Sequence, residues 1–137
     1  MGAKEELLSK LTIRDKSGAT QRAHEMLIAH ELKWKGPSNS ETLLYFFKLD
    51  GKEIGVAAIR HGIFSFPATF WRPRASSLHQ GLSKVASYMQ VDTQPAISSS
   101  QYSAGQVRLA KATIDTIEDI IRSIIIPEAK RAGAKIV

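Results

Sequence analysis

The chain has 137 residues, of which 43% are hydrophobic and 23% charged, a composition typical of a globular domain rather than of a disordered segment. It has no cysteine, which excludes disulfides, thiolate metal sites and cysteine nucleophiles. No apolar run approaches the length of about 18 residues that a membrane span needs, and the first ten residues lack the apolar stretch of a signal peptide. We therefore expect a single domain over residues 1–137, in the cytoplasm and without membrane contact.

Positive charge is concentrated in the middle of the chain. The formal net charge is +6, and the segment between Glu53 and Asp115 holds six basic residues against one acidic residue. No carboxylate occurs in residues 54–91. A basic surface attracts nucleic acid, phosphorylated ligands or anionic lipid, so the charge favours an anionic partner without identifying it.

The chain begins with two stretches in which apolar residues recur at helical spacing. The first covers about the first dozen residues and ends before Asp15, and the second begins at Ala19. The apolar stripe of the second helix consists of Ala19, Ala23, Met26, Leu27 and His30. Residues 32–35 are then expected to form a short strand that Gly36 and Pro37 stop.

The strongest structural signal is Asp50-Gly51, which lies between two β-rich apolar runs at 42–49 and 52–60. This pattern predicts a hairpin with a type I′ turn, because both central residues of that turn need positive φ. In the resulting register Lys48 faces Glu53, Phe46 faces Gly55 and Tyr45 faces Val56. A second tight turn is expected at His61-Gly62, placing Ile59 opposite Phe64.

This register puts apolar side chains on both faces of the predicted sheet. One face carries Leu43, Tyr45, Phe47, Ile54 and Val56, and the other carries Leu44, Phe46, Ala57, Ile59, Phe64 and Phe66. One face can take the helices, whereas the other needs more helix, a ligand or a second subunit. We therefore expect a homodimer.

The second half of the chain completes an α+β pattern. Pro67 limits the third strand because it has no N–H to donate, and Ser76 or Ser77 is expected to cap a helix whose apolar stripe begins at Leu78. Residues 93–105 are predicted to form a polar loop, 106–110 a strand, and 114–125 a helix that Pro127 breaks or restarts. The fold expected is an antiparallel sheet of about five strands packed against helices.

Four segments resemble, in the same order, those of the YdhG-like family of small α+β domains: LKWKGP at 32–37, GVAAIRHGIFSFP at 55–67, QYSAGQVRLA at 101–110 and IDTIEDIIRSIIIPEAKR at 114–131. The resemblance implies helices packed on an antiparallel sheet. It also implies iron handling, because some members are described as iron chaperones. The chain departs from that role by being poor in acids where a carboxylate surface would bind iron, and from the family by a longer hairpin at 43–51. No functional residue is carried over.

Few residues indicate metal binding or catalysis. His24 and Glu31 are seven residues apart, so on one helix face they could supply two metal ligands or an acid/base pair. The alternative is a pair on the solvent-exposed helix surface. The chain has no Gly-rich phosphate loop and no nucleophile elbow, and Ser98, Ser99 and Ser100 have no evident base partner. We therefore assign no catalytic residue and expect a binding protein rather than an enzyme.

Trp71-Arg72-Pro73-Arg74 is the best candidate for a binding site. An exposed aromatic ring beside two arginines can stack on a ligand ring while the guanidiniums hold a phosphate or carboxylate. The alternative is a core tryptophan, with arginines that are solvated or paired to Glu118 or Asp119. The predicted ligand-binding surface consists of Trp71, Arg72, Arg74, Lys84 and Arg108.

The function expected is the binding of an anionic or aromatic small ligand, and the sequence indicates no particular cofactor. A nucleic-acid-binding protein is the alternative, favoured by the charge although the chain has no known nucleic-acid motif. Iron handling is a second alternative through the family resemblance. A pocket of about 300 Å³ or more with polar groups at the sheet favours the small ligand. A steep dependence of affinity on salt would favour nucleic acid.

Overall fold

The computed structural model describes residues 2–37, 41–85, 91–92, 103–109 and 114–136. These residues form helices and one antiparallel sheet, which confirms the predicted α+β class. No helix in these ranges is long and apolar enough to cross a lipid bilayer.

Two helices begin the chain, as the helical spacing predicts. Helix α1 spans Ala3–Arg14 and helix α2 spans Ala19–Ala29. In the connection between them, Asp15 accepts hydrogen bonds from the backbone N–H groups of Ser17 and Thr20, at 2.9 and 2.8 Å, and from both hydroxyls. Partial burial raises the pKa of Asp15, but these hydrogen bonds outweigh it and lower the pKa below its ordinary value. The carboxylate thereby satisfies donors at the start of α2.

Within the described residues the sheet has six strands, where about five were predicted. They are β1 (Lys33–Lys35), β2 (Leu43–Leu49), β3 (Lys52–Arg60), β4 (Ile63–Pro67), β5 (Val91–Asp92) and β6 (Ser103–Arg108). Their order is β1-β2-β3-β4-β6-β5, and each pair of neighbours is antiparallel. The predicted loop at 93–105 is wrong at its end, because residues 103–105 belong to β6, and its other residues lie outside the described ranges.

The turn between β2 and β3 confirms the strongest sequence signal. Asp50 and Gly51 have φ of 52° and 80°, as a type I′ turn requires. Next to the turn, Lys48 pairs with Glu53 and Phe46 pairs with Gly55, as predicted.

Farther from the turn the register differs from the prediction. Tyr45 pairs with Ala57 rather than with Val56, because a β-bulge inserts one additional residue into β3. A shift of one residue moves a side chain to the other face of a sheet. As a result, side chains predicted on different faces form one row of successive partners across four strands, all fully buried: Leu43, Ile59, Phe64 and Val107.

The bulge therefore moves most of the predicted second apolar face onto the first. The expectation of two separate apolar faces is wrong. The homodimer stays a prediction, but the predicted second apolar face of the sheet no longer supports it.

The remaining helices follow β4 and β6. Helix α3 spans Ala68–Trp71 and leads through a 3-10 turn, Arg72–Arg74, into α4, Ala75–Val85. Ser76 and Ser77 lie inside α4 instead of capping it, since the 3-10 turn enters the helix without a break. Helix α5 spans Ile114–Ile120, a π-helical turn spans Ile121–Ile125, and α6 spans Ile126–Arg131. Pro127 restarts the helix, as predicted, in the first turn of α6.

Helices and sheet share one hydrophobic core. Its cluster of buried residues includes Leu27 of α2, Ile59 of β3, Leu82 of α4 and Ile121 of the π-helical turn. This core holds the sheet and helices together and positions the elements that surround the candidate site.

Candidate ligand-binding cleft

Strand β3 has different neighbours along its two edges. β2 pairs with it from Lys52 to Ile59, whereas β4 pairs with it at Ala58, Ile59 and Arg60. β4 then ends at Pro67, and the chain turns into α3. The start of β3 and the helix α3 therefore enclose a wedge beside the sheet.

Trp71 fills the inner part of this wedge. It is fully buried, and its indole N–H donates a hydrogen bond of 2.8 Å to the carbonyl oxygen of Val56, the bulge residue. The rings of Phe66 and Phe70 meet it edge-on, with centroids at 5.6 and 5.0 Å. A buried carbonyl needs such a donor. The expectation of an exposed Trp71 that stacks on a ligand is therefore wrong, and the alternative of a core tryptophan is correct.

Toward the solvent the wedge opens into a cleft of about 440 Å³. Its apolar walls are Leu44, Phe47, Leu49, Ile54, Gly55, Pro67, Phe70 and Ala132, and its polar side chains are Glu53, Thr69 and Arg74. Ligand pockets have volumes of about 300–1,000 Å³ and combine apolar walls with a few polar groups. The cleft thus has the size and composition of a small-molecule site.

Arg74 is the polar group that best suits an anionic ligand. Its guanidinium carbon lies 4.1 Å from the centre of the Phe70 ring, and its Nη1 donates a hydrogen bond of 2.7 Å to the Phe70 carbonyl. Its Nε lies 3.7 Å from a carboxylate oxygen of buried Glu128, which also pairs with Arg131. One carboxylate thus faces two guanidiniums, so a net positive charge remains beside the cleft. An arginine has five N–H donors, so donors remain for a ligand.

Glu53 on the hairpin side of the cleft is already paired. Lys35 forms an ion pair with it and crosses the Phe46 ring at 5.4 Å from its centre. The hydrogen bond from Lys35 lowers the pKa of Glu53, so this carboxylate is ionised and neutralised at physiological pH. The pair also covers Phe46, which is only 5% exposed.

No protein-family model, curated protein or solved structure matches the chain. The resemblance to the YdhG-like domains accordingly stays a prediction, and the geometry of the cleft carries the functional argument.

The other predicted ligand-binding residues lie away from the cleft. Arg72 is exposed in the 3-10 turn, but its side chain does not line the cleft. Lys84 lies near the far end of α4, and at about 1.5 Å per residue its backbone is about 15 Å from that of Arg74. Arg108 pairs with Ile63, whereas Arg74 follows the opposite end of β4, about 13 Å away along the strand. Of the predicted residues, Arg74 is the one that the structure brings to the cleft.

The acidic partner of Arg74 also differs from the one considered in the sequence. Glu118 forms an ion pair with Arg22 of α2, at 2.5 Å, and Arg74 meets Glu128 instead. No sequence signal indicates this partner, because the two residues are far apart in the chain and come together through packing.

His24 and Glu31 do not form the predicted pair. His24 is buried, its Nδ1 forms a hydrogen bond of 2.7 Å with the Tyr45 hydroxyl, and its ring meets Trp34 edge-on at 4.6 Å. Helix α2 ends at Ala29, so the exposed Glu31, with φ of 65°, is not on its surface. Both the metal pair and the solvent-exposed pair are therefore wrong. Within the described ranges, no three His, Asp or Glu side chains meet in a group that could hold a metal ion.

Burial changes the ionisation of the His24 and Tyr45 pair. It lowers the pKa of His24 and raises the pKa of Tyr45, since both charged forms are poorly solvated there. Both groups are consequently neutral at physiological pH, and their hydrogen bond fixes α2 to β2.

Proposed function

We propose that the protein binds a small molecule with an apolar body and an anionic head group in this cleft. The supporting observation is one cavity of about 440 Å³ that combines apolar walls with the guanidinium of Arg74. The apolar body lies against Phe47, Ile54 and Phe70, and the head group binds Arg74. Burial of apolar ligand surface then supplies the affinity, at about 25 cal/mol per Å².

The charge around the cleft supports an anionic head group. Arg74 and Arg131 share the single carboxylate of Glu128, and the wall from Pro67 to Arg74 belongs to the segment that has no carboxylate of its own. Hydrogen bonds from a guanidinium to a carboxylate, sulfonate or phosphate are roughly twice as strong as those between neutral groups. A neutral ligand of the same shape would not gain this contribution.

The proposed role is binding without catalysis. Glu53, the carboxylate in the cleft wall, is held in its ion pair with Lys35, so the proposal gives it no acid/base role. Nucleic-acid binding and iron handling stay predictions from the sequence, and the apolar walls of the cleft support neither of them.

The proposal is tested with anilinonaphthalene sulfonate, a fluorescent probe that joins an aromatic body to an anion. We expect saturable binding by the folded protein and a loss of at least tenfold in affinity for Leu44→Trp, which fills the cleft. The matched control is Ile63→Trp, another half-buried strand position that does not line the cleft. Equal binding by the parent and by Leu44→Trp would contradict the proposed location.

The role of Arg74 has its own control. Arg74→Gln should lower the affinity for the probe by about tenfold or more, since a charged hydrogen bond contributes about 1.5–3 kcal/mol. Arg72→Gln removes the same charge two positions away and should have a small effect. Neutral N-phenylnaphthylamine, which has the same rings without the sulfonate, should bind Arg74→Gln and the parent alike. An equal loss for both probes would show that Arg74 acts on the fold and not on the anion.

A further inference from the structure

The edge of β3 that lines the cleft carries backbone hydrogen-bonding groups. The type I′ turn makes Leu49 and Lys52 hydrogen-bonded partners, and the direction of these groups alternates along an antiparallel strand. Lys52 and Ile54 therefore direct their N–H and C=O groups toward β2, whereas Glu53 and Gly55 direct theirs to the opposite edge. Glu53 and Gly55 are both lining residues of the cleft.

No neighbouring strand in the described register covers this part of the edge. β4 begins to pair with β3 at Ala58, beyond the bulge. Between the two regions, the carbonyl of Val56 is satisfied by the indole of Trp71. A strand edge with free N–H and C=O groups is a template for another extended chain. Glu53 and Gly55 present such an edge to the cleft.

An extended peptide suits this arrangement because its side chains alternate between two faces. The alternation along β2 places Leu44 and Phe47 on opposite faces of the sheet, and both line the cleft. A peptide strand beside β3 can therefore place apolar side chains against both. A peptide C-terminus also supplies an anion for Arg74.

We propose, on the basis of the proposed function, that the ligand of the cleft is an extended peptide with a free C-terminal carboxylate. Its backbone forms hydrogen bonds with Glu53 and Gly55 as a strand added to β3, and its carboxylate binds Arg74. Strand addition supplies affinity through the main chain, and the apolar walls select the side chains.

Calorimetric titration with synthetic peptides tests this directly. The first peptide is an acetylated pentapeptide of alternating valine and threonine with a free C-terminal carboxylate. Its C-terminal amide should bind at least tenfold more weakly, because it loses the charged hydrogen bond to Arg74. Two further peptides carry N-methyl groups on alternate residues, one on the odd and one on the even positions. Only one of these sets of N–H groups can face β3, so we expect one methylated peptide to lose binding and the other to keep it.

The outcomes separate this inference from the proposed function. If the acid and amide bind equally, or if both methylated peptides bind alike, strand addition with carboxylate capture is refuted. If no peptide binds, but the parent binds anilinonaphthalene sulfonate and Leu44→Trp does not, the peptide inference fails and the small-ligand function stands. If neither the peptide nor the probe binds, both proposals fail. Binding of the acid peptide that is lost in Leu44→Trp and kept in Ile63→Trp supports both.

Discussion

The two halves of strand β3 have the same partner on one edge and different surroundings on the other. Beyond the bulge, Ala58 and Ile59 pair with both β2 and β4 in a closed part of the sheet. Before the bulge, Glu53 to Gly55 pair, among the described strands, with β2 alone, and they line the cleft. The comparison shows how one inserted residue, Val56, whose carbonyl binds the Trp71 indole, divides the strand into a half that pairs on both edges and a half that lines the cleft.

The largest effect on this arrangement is expected from Trp71→Phe. The substitution removes the donor to the Val56 carbonyl and leaves a small cavity between Phe66 and Phe70. We expect a loss of about 2–4 kcal/mol in the free energy of unfolding, measured by urea denaturation. Trp34→Phe is the control, because Trp34 is only partly buried, and it should cost less. Equal losses for the two variants would contradict the stabilising role given to Trp71, which fills the wedge and donates a hydrogen bond to the Val56 carbonyl.

The second-largest effect is expected at the Asp50-Gly51 turn, which holds β2 and the start of β3 in register. Gly51 has φ of 80°, and an added Cβ would meet no atom of the described structure within 4 Å. The cost of Gly51→Val is therefore one of backbone conformation, about 1–3 kcal/mol. Gly51→Asn should cost much less, since asparagine tolerates positive φ. An unchanged melting temperature for the valine variant would show that the turn does not fix the register.

A smaller effect should appear in the pH dependence of stability. Tyr45 lies where the register shifts, and His24 anchors it with a hydrogen bond. Burial lowers the folded-state pKa of His24 below the unfolded value of about 6.5. The unfolded state therefore binds the proton more readily, and stability that is present above about pH 6.5 is lost as the pH falls toward the folded-state pKa.

The slope of this loss cannot exceed about 1.4 kcal/mol per pH unit for a single group. Urea denaturation at pH 7.5 and 5.5 measures it, with His24→Gln as the variant that keeps a polar group and does not titrate. We expect a shallower pH dependence in His24→Gln than in the parent. Parallel curves for the two proteins would mean that other groups cause the loss.

The sequence predicts the part of this comparison that depends on local signals. The turn at Asp50-Gly51 sets the pairing of Lys48 with Glu53 and of Phe46 with Gly55, because two residues with positive φ leave few alternatives. The helical spacing similarly predicts α1 and α2. The presence of Pro67 correctly predicts where β4 ends.

The bulge and the cleft depend on contacts between distant parts of the chain. Gly55, inside the strand pattern next to Val56, is a local signal for a bulge. The donor to the Val56 carbonyl is Trp71, from another element, and no local signal indicates it. Two arginines follow Trp71 in the sequence and leave both an exposed and a core position open, and α3 turns its ring into the core. The sequence predicts Arg74 as a ligand-binding residue from its charge and its position close to Trp71. The cleft that Arg74 lines forms because β4 pairs with β3 only beyond the bulge. Local sequence patterns do not indicate where this pairing stops.

Amide chemical-shift mapping with anilinonaphthalene sulfonate tests the central claim, that the open half of β3 is a binding site. The probe should shift the amide signals of Glu53, Gly55, Phe70 and Arg74 in a saturable manner and leave those of Arg60 and Ile63, which pair with each other beyond the bulge, in place. Shifts that concentrate at Arg60 and Ile63, or that are absent throughout the cleft, would contradict the account.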